Sequence, residues 1–413
     1  MATSSECHLL GFSVLMFLSF AACDSPSPAR APAPEPTDAR VTSASSDSQT
    51  NLMEDASLES MDAFNRTQSD SSAPLPFDIG PQTADADTSD ATLDEPTDAS
   101  SADASDIAPD ARMERGCQPD RNACAMLPSR LPNSRTNNPI VFVHGMGGFE
   151  NLGPWDYFYG VPAQLREAGY ETYITVSDPF NTSLIRSQQL RPQLDLIRDC
   201  ACANRLNIIA HSQGGIDMRL LISDGGYGRH IASLTTISTP HRGTQVADAL
   251  LGLTDGPVQG IADGLLNVFS GFVWDDQQED PDIAAAMQTC STQAMQRFNE
   301  VMLDDPDVQY FSYAGFSGRL ADGRPECLGG ELPIPRRGDT IAPEFATSFL
   351  YLGGILRAND GLVPVESAKW GRFRGCLPAD HLDQIGQLGG LVDTFNYREF
   401  YEEHAAFLVD EGL

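Results

Sequence analysis

The chain has 413 residues with 58 acidic against 26 basic side chains, a formal net charge of −32. Lys369 is its single lysine, which argues against a basic face for nucleic acid. The acidity suits saline surroundings or plain solubility equally.

Residues 9–22 are predominantly apolar, short of the ~20 needed to span a bilayer and suited to a signal-peptide core. The run ends at Phe20-Ala21-Ala22-Cys23, which resembles the bacterial lipoprotein cleavage box with Phe in the usual Leu place. Cys23 would then be the lipidated first residue of a mature protein held in the cell envelope. Residues before the run carry Glu6 and no Lys or Arg, so an unlipidated secretory signal or a misplaced start codon stays open. Ser, Thr, Ala, Pro and Asp then dominate. Residues 24–113 hold nineteen carboxylates against four Arg, and such a segment buries too little apolar surface to offset the entropy of ordering. The expected organisation is a signal peptide at 1–22, a disordered acidic linker at 23–113, and one folded domain at 114–413.

In the folded part, Pro139-Ile140-Val141-Phe142-Val143 predicts a buried strand that opens onto His144-Gly145-Met146-Gly147-Gly148. A Gly-rich loop after a strand can cradle phosphate, but this one lacks the glycine spacing and the Lys of phosphate binders. Thr172-Tyr173-Ile174-Thr175-Val176 predicts the next strand. Leu206-Asn207-Ile208-Ile209 predicts another, which runs into Ala210-His211-Ser212-Gln213-Gly214-Gly215 and a helix over 216–222. Strand, sharp turn carrying Ser, then helix is the layout of a nucleophile elbow. Its strained turn needs small residues two before and two after the serine, and Ala210 and Gly214 meet that need. A strand at Leu234-Thr235-Thr236-Ile237-Ser238-Thr239 follows. Residues 250–274 are rich in Gly and large apolar side chains, with Ile261, Leu265, Val268 and Phe272 at helical spacing and Leu266, Phe269 and Val273 beside them. They read as a core helix or as a helix with two apolar faces. Tyr310-Phe311-Ser312-Tyr313-Ala314 predicts a further strand. Helical patterns between several of the strands predict a parallel sheet.

A serine hydroxyl attacks only when a base takes its proton. The chain has seven His. His8 lies in the leader, His144 and His211 precede or abut Ser212, His230 and His241 follow closely, and His404 sits on a terminal helix. That leaves His381, in the polar loop Ala379-Asp380-His381-Leu382-Asp383. The acid that would orient it is best placed at Asp360, in Asn359-Asp360-Gly361-Leu362-Val363. An Asp-Gly pair is also an ordinary turn, and Glu366 is the alternative acid. The oxyanion of a tetrahedral intermediate would be met by the N–H of Gln213, after the nucleophile, and by that of Met146 in the His-Gly turn. Each such donor is worth about 3 kcal/mol of transition-state stabilisation.

Residues 139–148, 210–215, Ser238-Thr239-Pro240-His241-Arg242-Gly243-Thr244, 359–363 and 381–383 together resemble the bacterial triacylglycerol lipases of the α/β-hydrolase superfamily. The likeness runs from about Asn138 to the C-terminus. It implies an α/β fold, with a mostly parallel central sheet flanked by helices and a helical lid insertion at 250–274. It implies Ser212, Asp360 and His381 as a triad and Met146 and Gln213 as oxyanion donors. It also implies a structural Ca2+ on Asp339 and Asp383, with backbone carbonyls matching Gln387 and Leu391. Oxygen ligands from two loops suit a hard cation, and a metal on Asp383 would pin His381; otherwise Asp383 caps a loop and Asp339 is a turn residue. The implied substrate is a lipid ester, and a dedicated folding chaperone is a partner that no residue here decides. A phospholipase, thioesterase, polyester depolymerase or acyltransferase could use the same machinery, and a non-catalytic lipid-binding lipoprotein would differ in class. The cysteine that follows the catalytic Asp in that family has no counterpart at 361–366. Of the nine cysteines, seven remain once Cys7 and Cys23 are set aside, an odd number. Spacing does not fix their pairing, and Cys117 with Cys124 and Cys290 with Cys327 are trial pairings. Cys200-Ala201-Cys202 has one spacer and no second pair of matching form, which excludes zinc.

Overall fold

Short runs of branched and aromatic residues, buried on both sides, are what a parallel sheet between two helical layers requires. The computed structural model describes residues 117, 120–148, 151–152, 155–223, 226–270, 282–318, 325–387 and 395–413. The leader and the whole of the acidic linker lie outside the described residues.

The strands are β1 (Ile140–Val143), β2 (Asn151–Leu152), β3 (Trp155–Asp156), β4 (Thr172–Thr175), β5 (Leu206–His211), β6 (Ile231–Ile237), β7 (Gln309–Gly315) and β8 (Arg372–Leu377). The helices are α1 (Val161–Glu167), α2 (Ser183–Ala201), α3 (Gln213–Ser223), α4 (Gln245–Leu250), α5 (Val258–Ser270), α6 (Ile283–Thr289), α7 (Thr292–Val301), α8 (Ala346–Tyr351), α9 (Val365–Ala368) and α10 (Tyr397–Asp410). β2 and β3 form a small antiparallel pair. The other six strands make one sheet in the order β4-β1-β5-β6-β7-β8, parallel at every pairing. Strand β8 escapes a reading of apolar runs because Arg372 and Arg374 interrupt it at the sheet edge.

Alternate residues of each strand feed opposite faces. Val141, Val143, Ile208 and Leu234 pack against Leu190 and Leu194 of α2 and Met218 and Leu221 of α3. Ile140, Phe142, Ile209 and Phe311 pack on the other side against Leu165 of α1 and Tyr401 and Leu408 of α10. His404 of α10 belongs to this second layer. Its ring nitrogens bond Thr235 Oγ1 at 2.9 Å and Tyr313 OH at 3.0 Å, and burial drives its pKa down to about 3. The helix-flanked parallel sheet is the α/β-hydrolase architecture.

Strand order also fixes where a site can form. From β1 the chain moves outward to β4, then crosses back to β5 on the other flank of β1. Loops leaving the carboxyl ends of β1 and β5 therefore diverge, and the crevice between them is a topological switch point. The 144–148 loop and Ser212 both start there.

The trial cysteine pairings are corrected. Cys117 bonds Cys202, Cys124 bonds Cys200 and Cys327 bonds Cys376, while Cys290 is free and buried. Sequence proximity misleads because the chain before β1 runs back along the C-terminal end of α2. Both of its cysteines meet the Cys-Ala-Cys there, with Cα–Cα separations of 5.8 and 5.7 Å. Among the described residues no helix is long and apolar enough to cross a membrane.

Candidate active site

Ser212 follows β5 directly, and its N–H still bonds the Ile237 carbonyl of β6 at 2.9 Å. Its φ of 54° lies in the left-handed region, a conformation costly for a non-glycine residue and one that persists only where its surroundings impose it. The turn is tight enough to exclude side chains around it. A Cβ on Gly214 would stand 2.5 Å from the His144 carbonyl, and one on Gly145 would stand 2.6 Å from the Ser212 Cβ. Ala210 is fully buried, which explains why a small residue stands there.

Ser212, His381 and Asp360 come together in one chain of hydrogen bonds. Ser212 Oγ is 3.0 Å from His381 Nε2, and His381 Nδ1 is 2.8 Å from Asp360 Oδ2. Asp360 is fully buried and sits in an Asx-type turn. Its Oδ1 accepts from the N–H groups of Leu362 at 3.0 Å and Val363 at 2.7 Å. The turn reading and the acid reading of Asp-Gly are thus one feature, since the turn presents the carboxylate. Burial alone would raise its pKa, but the neighbouring His381 and the hydrogen bonds from Val363 and Ser238 outweigh it and leave the group below its usual range. Glu366 lies on α9, where it pairs with Lys369 at 2.7 Å.

Met146 and Ser212 line one pocket together with Tyr157, Val246, Leu265, Val268, Met287, Cys290 and Phe345. Its wall is almost wholly apolar. Leu265 and Val268 come from α5, so this helix forms part of the wall of the pocket that Ser212 lines; Leu266 on the same helix is 57% exposed. Phe272, Val273 and Trp274 lie outside the described residues, as does the side chain of Phe269. Gln213 opens α3. Among the described residues, neither its N–H nor that of Met146 meets a protein acceptor.

Of the four residues expected at a metal, Asp339 and Asp383 come together, Leu391 lies outside the described residues, and Asp380 joins unforeseen. Carboxylate oxygens of Asp339, Asp380 and Asp383 lie within 4.8 Å of one another. Asp339 Oδ1 is buried without a hydrogen-bond partner, and a side-chain hydrogen bond joins Asp383 to Asp339. Two carboxyls that close need a shared proton or a cation. Burial raises the Asp339 pKa. Burial, opposed by backbone hydrogen bonds, raises that of Asp380 to about 6. An orphaned buried oxygen beside two more carboxylates fits a hard cation. Gln387 spends its side-chain Nε2 on the carbonyls of Asp156, at 3.2 Å, and Tyr157.

Several neighbours carried no sequence signal. Gln384 Nε2 donates to Asp360 Oδ2 at 3.1 Å. His211 packs against His381 with tilted rings whose centroids are 4.5 Å apart and bonds the Tyr157 hydroxyl through Nδ1 at 2.8 Å. Burial, then the adjacent His381, holds its pKa well below the usual range, so it stays neutral beside the relay. Asp380 was visible only as one more acid in an Asp-His-Leu-Asp loop.

No family model matches the chain. Among curated proteins, it is 30% identical over 300 residues to the triacylglycerol lipase of Pseudomonas fragi, covering 67% of this chain and 98% of that one. It is 28% identical over 297 residues to the triacylglycerol lipase of Vibrio cholerae, covering 68% and 90%. Among solved structures, the Staphylococcus hyicus lipase aligns at 20% identity with a TM-score of 0.49, covering 68% of this chain and 98% of that chain. The chain is a lipase/esterase-type hydrolase and belongs to the family of bacterial triacylglycerol lipases.

Proposed function

We propose that this protein hydrolyses acylglycerol esters through an acyl-enzyme on Ser212. The observation that carries this reading is the unbroken relay from Ser212 Oγ through His381 to Asp360. Asp360 accepts from Nδ1–H and so leaves His381 Nε2 free to act as base. Ser212 Oγ attacks the ester carbonyl carbon and passes its proton to Nε2. The carbonyl oxygen becomes an oxyanion met by the N–H groups of Met146 and Gln213. The intermediate collapses, the C–O bond to the alcohol breaks, and His381 returns the proton to the leaving oxygen. Water repeats the sequence on the acyl-enzyme and releases the fatty acid. The apolar pocket wall favours an acyl chain over a charged substrate. A fluorophosphonate probe should label the wild-type protein and not Ser212→Ala. Asp360→Asn should keep the fold and lose on the order of 10⁴-fold in kcat. Labelling that persists in Ser212→Ala would overturn the assignment.

Helix α5 acts as a lid in this reading. One apolar side, with Ile261 and Leu265, packs inward, while Leu266 faces water. Such a helix gains burial on both sides only when it meets lipid. Activity on an ester should therefore rise sharply as the substrate passes its solubility limit, and smooth saturation through that limit would mark an esterase without a working lid.

In the same reading Asp339, Asp380 and Asp383 would hold a structural Ca2+, with the Gln387 carbonyl as a further ligand; Leu391, the other expected ligand, lies outside the described residues. The ion would supply charge compensation and fix the loop that carries His381. The sign of the pH effect follows from the raised carboxyl pKa values. Without metal, these groups stabilise the fold when protonated, and that contribution fades as pH rises from about 4 through about 6, the reverse of the Asp360 term, which is lost only as pH falls below about 4. Added Ca2+ should thus raise Tm little at pH 4 and by about 5 °C at pH 7 at saturating ion. Equal melting in chelator and Ca2+ at pH 7 would remove the metal.

The domain layout at 1–22, 23–113 and 114–413 remains our reading of the whole chain, with envelope attachment through a lipidated Cys23. Three disulfides in the folded part fit an oxidising compartment. Cys23→Ala should release the protein from the membrane fraction of producing cells; unchanged fractionation would exclude the lipid anchor.

A further inference from the structure

Arg186 and Asp217 form an ion pair with no exposed side-chain surface, Nε to Oδ2 at 2.7 Å, and neither belongs to the relay. The rest of the Arg186 fork is spent on backbone. Nη2 donates to the His144 carbonyl at 2.9 Å and to the Gly145 carbonyl at 3.3 Å, and Nη1 donates to the Asp178 carbonyl. His144 and Gly145 are the turn just before Met146, while Asp217 lies on α3, one helical turn beyond Gln213. A single guanidinium therefore ties the loop that carries one N–H to the helix that carries the other. Burying such a pair is seldom a route to stability, because desolvation consumes most of the attraction. What the planar fork supplies, and an ammonium or a methyl group cannot, is several fixed directions at once.

We propose that Arg186 is a positioning residue that sets the separation of the Met146 and Gln213 N–H groups, and so their fit to the oxyanion. The proposal rests on the hydrolase mechanism given above. Displacement of a donor by about 1 Å costs on the order of 10²-fold in rate, and the loss should fall on kcat, since the oxyanion exists only in the transition state.

The test uses p-nitrophenyl butyrate below its solubility limit, with Tm measured alongside. Arg186→Met alone strands the Asp217 charge and should melt far lower. Arg186→Met/Asp217→Leu removes both charges and should recover most of the Tm, yet kcat should stay down on the order of 10²-fold with KM within about threefold. Phosphonylation of Ser212 should slow in step, because the phosphoryl oxygen needs the same donors. A folded double variant with wild-type kcat would overturn the proposal, as would lost kcat with unchanged phosphonylation. Should the double variant not fold, Arg186→Lys decides: it keeps the charge and loses the fork, so reduced kcat at native Tm supports the proposal and full kcat overturns it. Turnover that survives Ser212→Ala would instead refute the underlying hydrolase mechanism.

Discussion

A carboxylate withdrawn from water is tolerable only when donors surround it, and at Asp360 that condition shapes the whole site. Its Oδ1 takes two backbone N–H groups of its own turn, its Oδ2 takes His381 and Gln384, and Ser238 adds a side-chain bond. Each donor constrains a different segment. The 360–363 turn must close, Gln384 must be buried, and the loop after β8 must return far enough for the His381 N–H to bond the Asp360 carbonyl at 3.0 Å. Because an ionised Asp can only accept, the imidazole must donate through Nδ1. That leaves Nε2 toward Ser212.

The parallel sheet makes this convergence possible across 169 positions. All six strands point their carboxyl ends the same way, so residues just past those ends become neighbours. Ser212 follows β5, Ser238 follows β6 and His381 follows β8. Gly315, at the end of β7, donates to Ser238 Oγ at 3.0 Å. Ser238 shares the left-handed backbone of Ser212, with φ 46°, so two successive strands leave the sheet through strained turns beside Asp360. Strain of this kind survives where packing and hydrogen bonding leave no alternative, and the register His211 opposite Ile237 provides that fixity.

What was legible in the sequence follows from what is local. The elbow could be read because strand, turn and helix are contiguous and because Ala210 and Gly214 must be small. Asp360 and His381 could be read from loop composition and order along the chain. Strand β8 was hidden because its edge position tolerates Arg372 and Arg374, which pair with Glu331 and erase the apolar run. The cysteine pairs were hidden because spacing carries no information about which chain segments meet; their partners lie 85, 76 and 49 residues apart. Arg186 and Gln384 were hidden for the same reason: a polar residue in a helix or turn reads as solvated until the fold buries it.

Charge balance connects these scattered features. The chain has 58 acidic against 26 basic side chains and so few cations to spare for its interior, yet Asp217, Asp339, Asp360 and Asp380 are all buried. Each needs a counterweight. Asp217 has the Arg186 guanidinium, and Asp360 has an imidazole and four further donors. Asp380 caps the loop around His381, accepting from the N–H groups of Leu382 and Asp383 at 2.9 Å each and from Ala342 at 2.9 Å. Among the described residues no Lys or Arg stands within ion-pair distance of Asp339 or Asp380. Only protons or an external cation remain to neutralise them, and protons do so only in acid. At neutral pH the loop that delivers His381 therefore holds carboxylates that no Lys or Arg among the described residues balances, which makes it the place where a bound ion would govern whether the relay stays assembled.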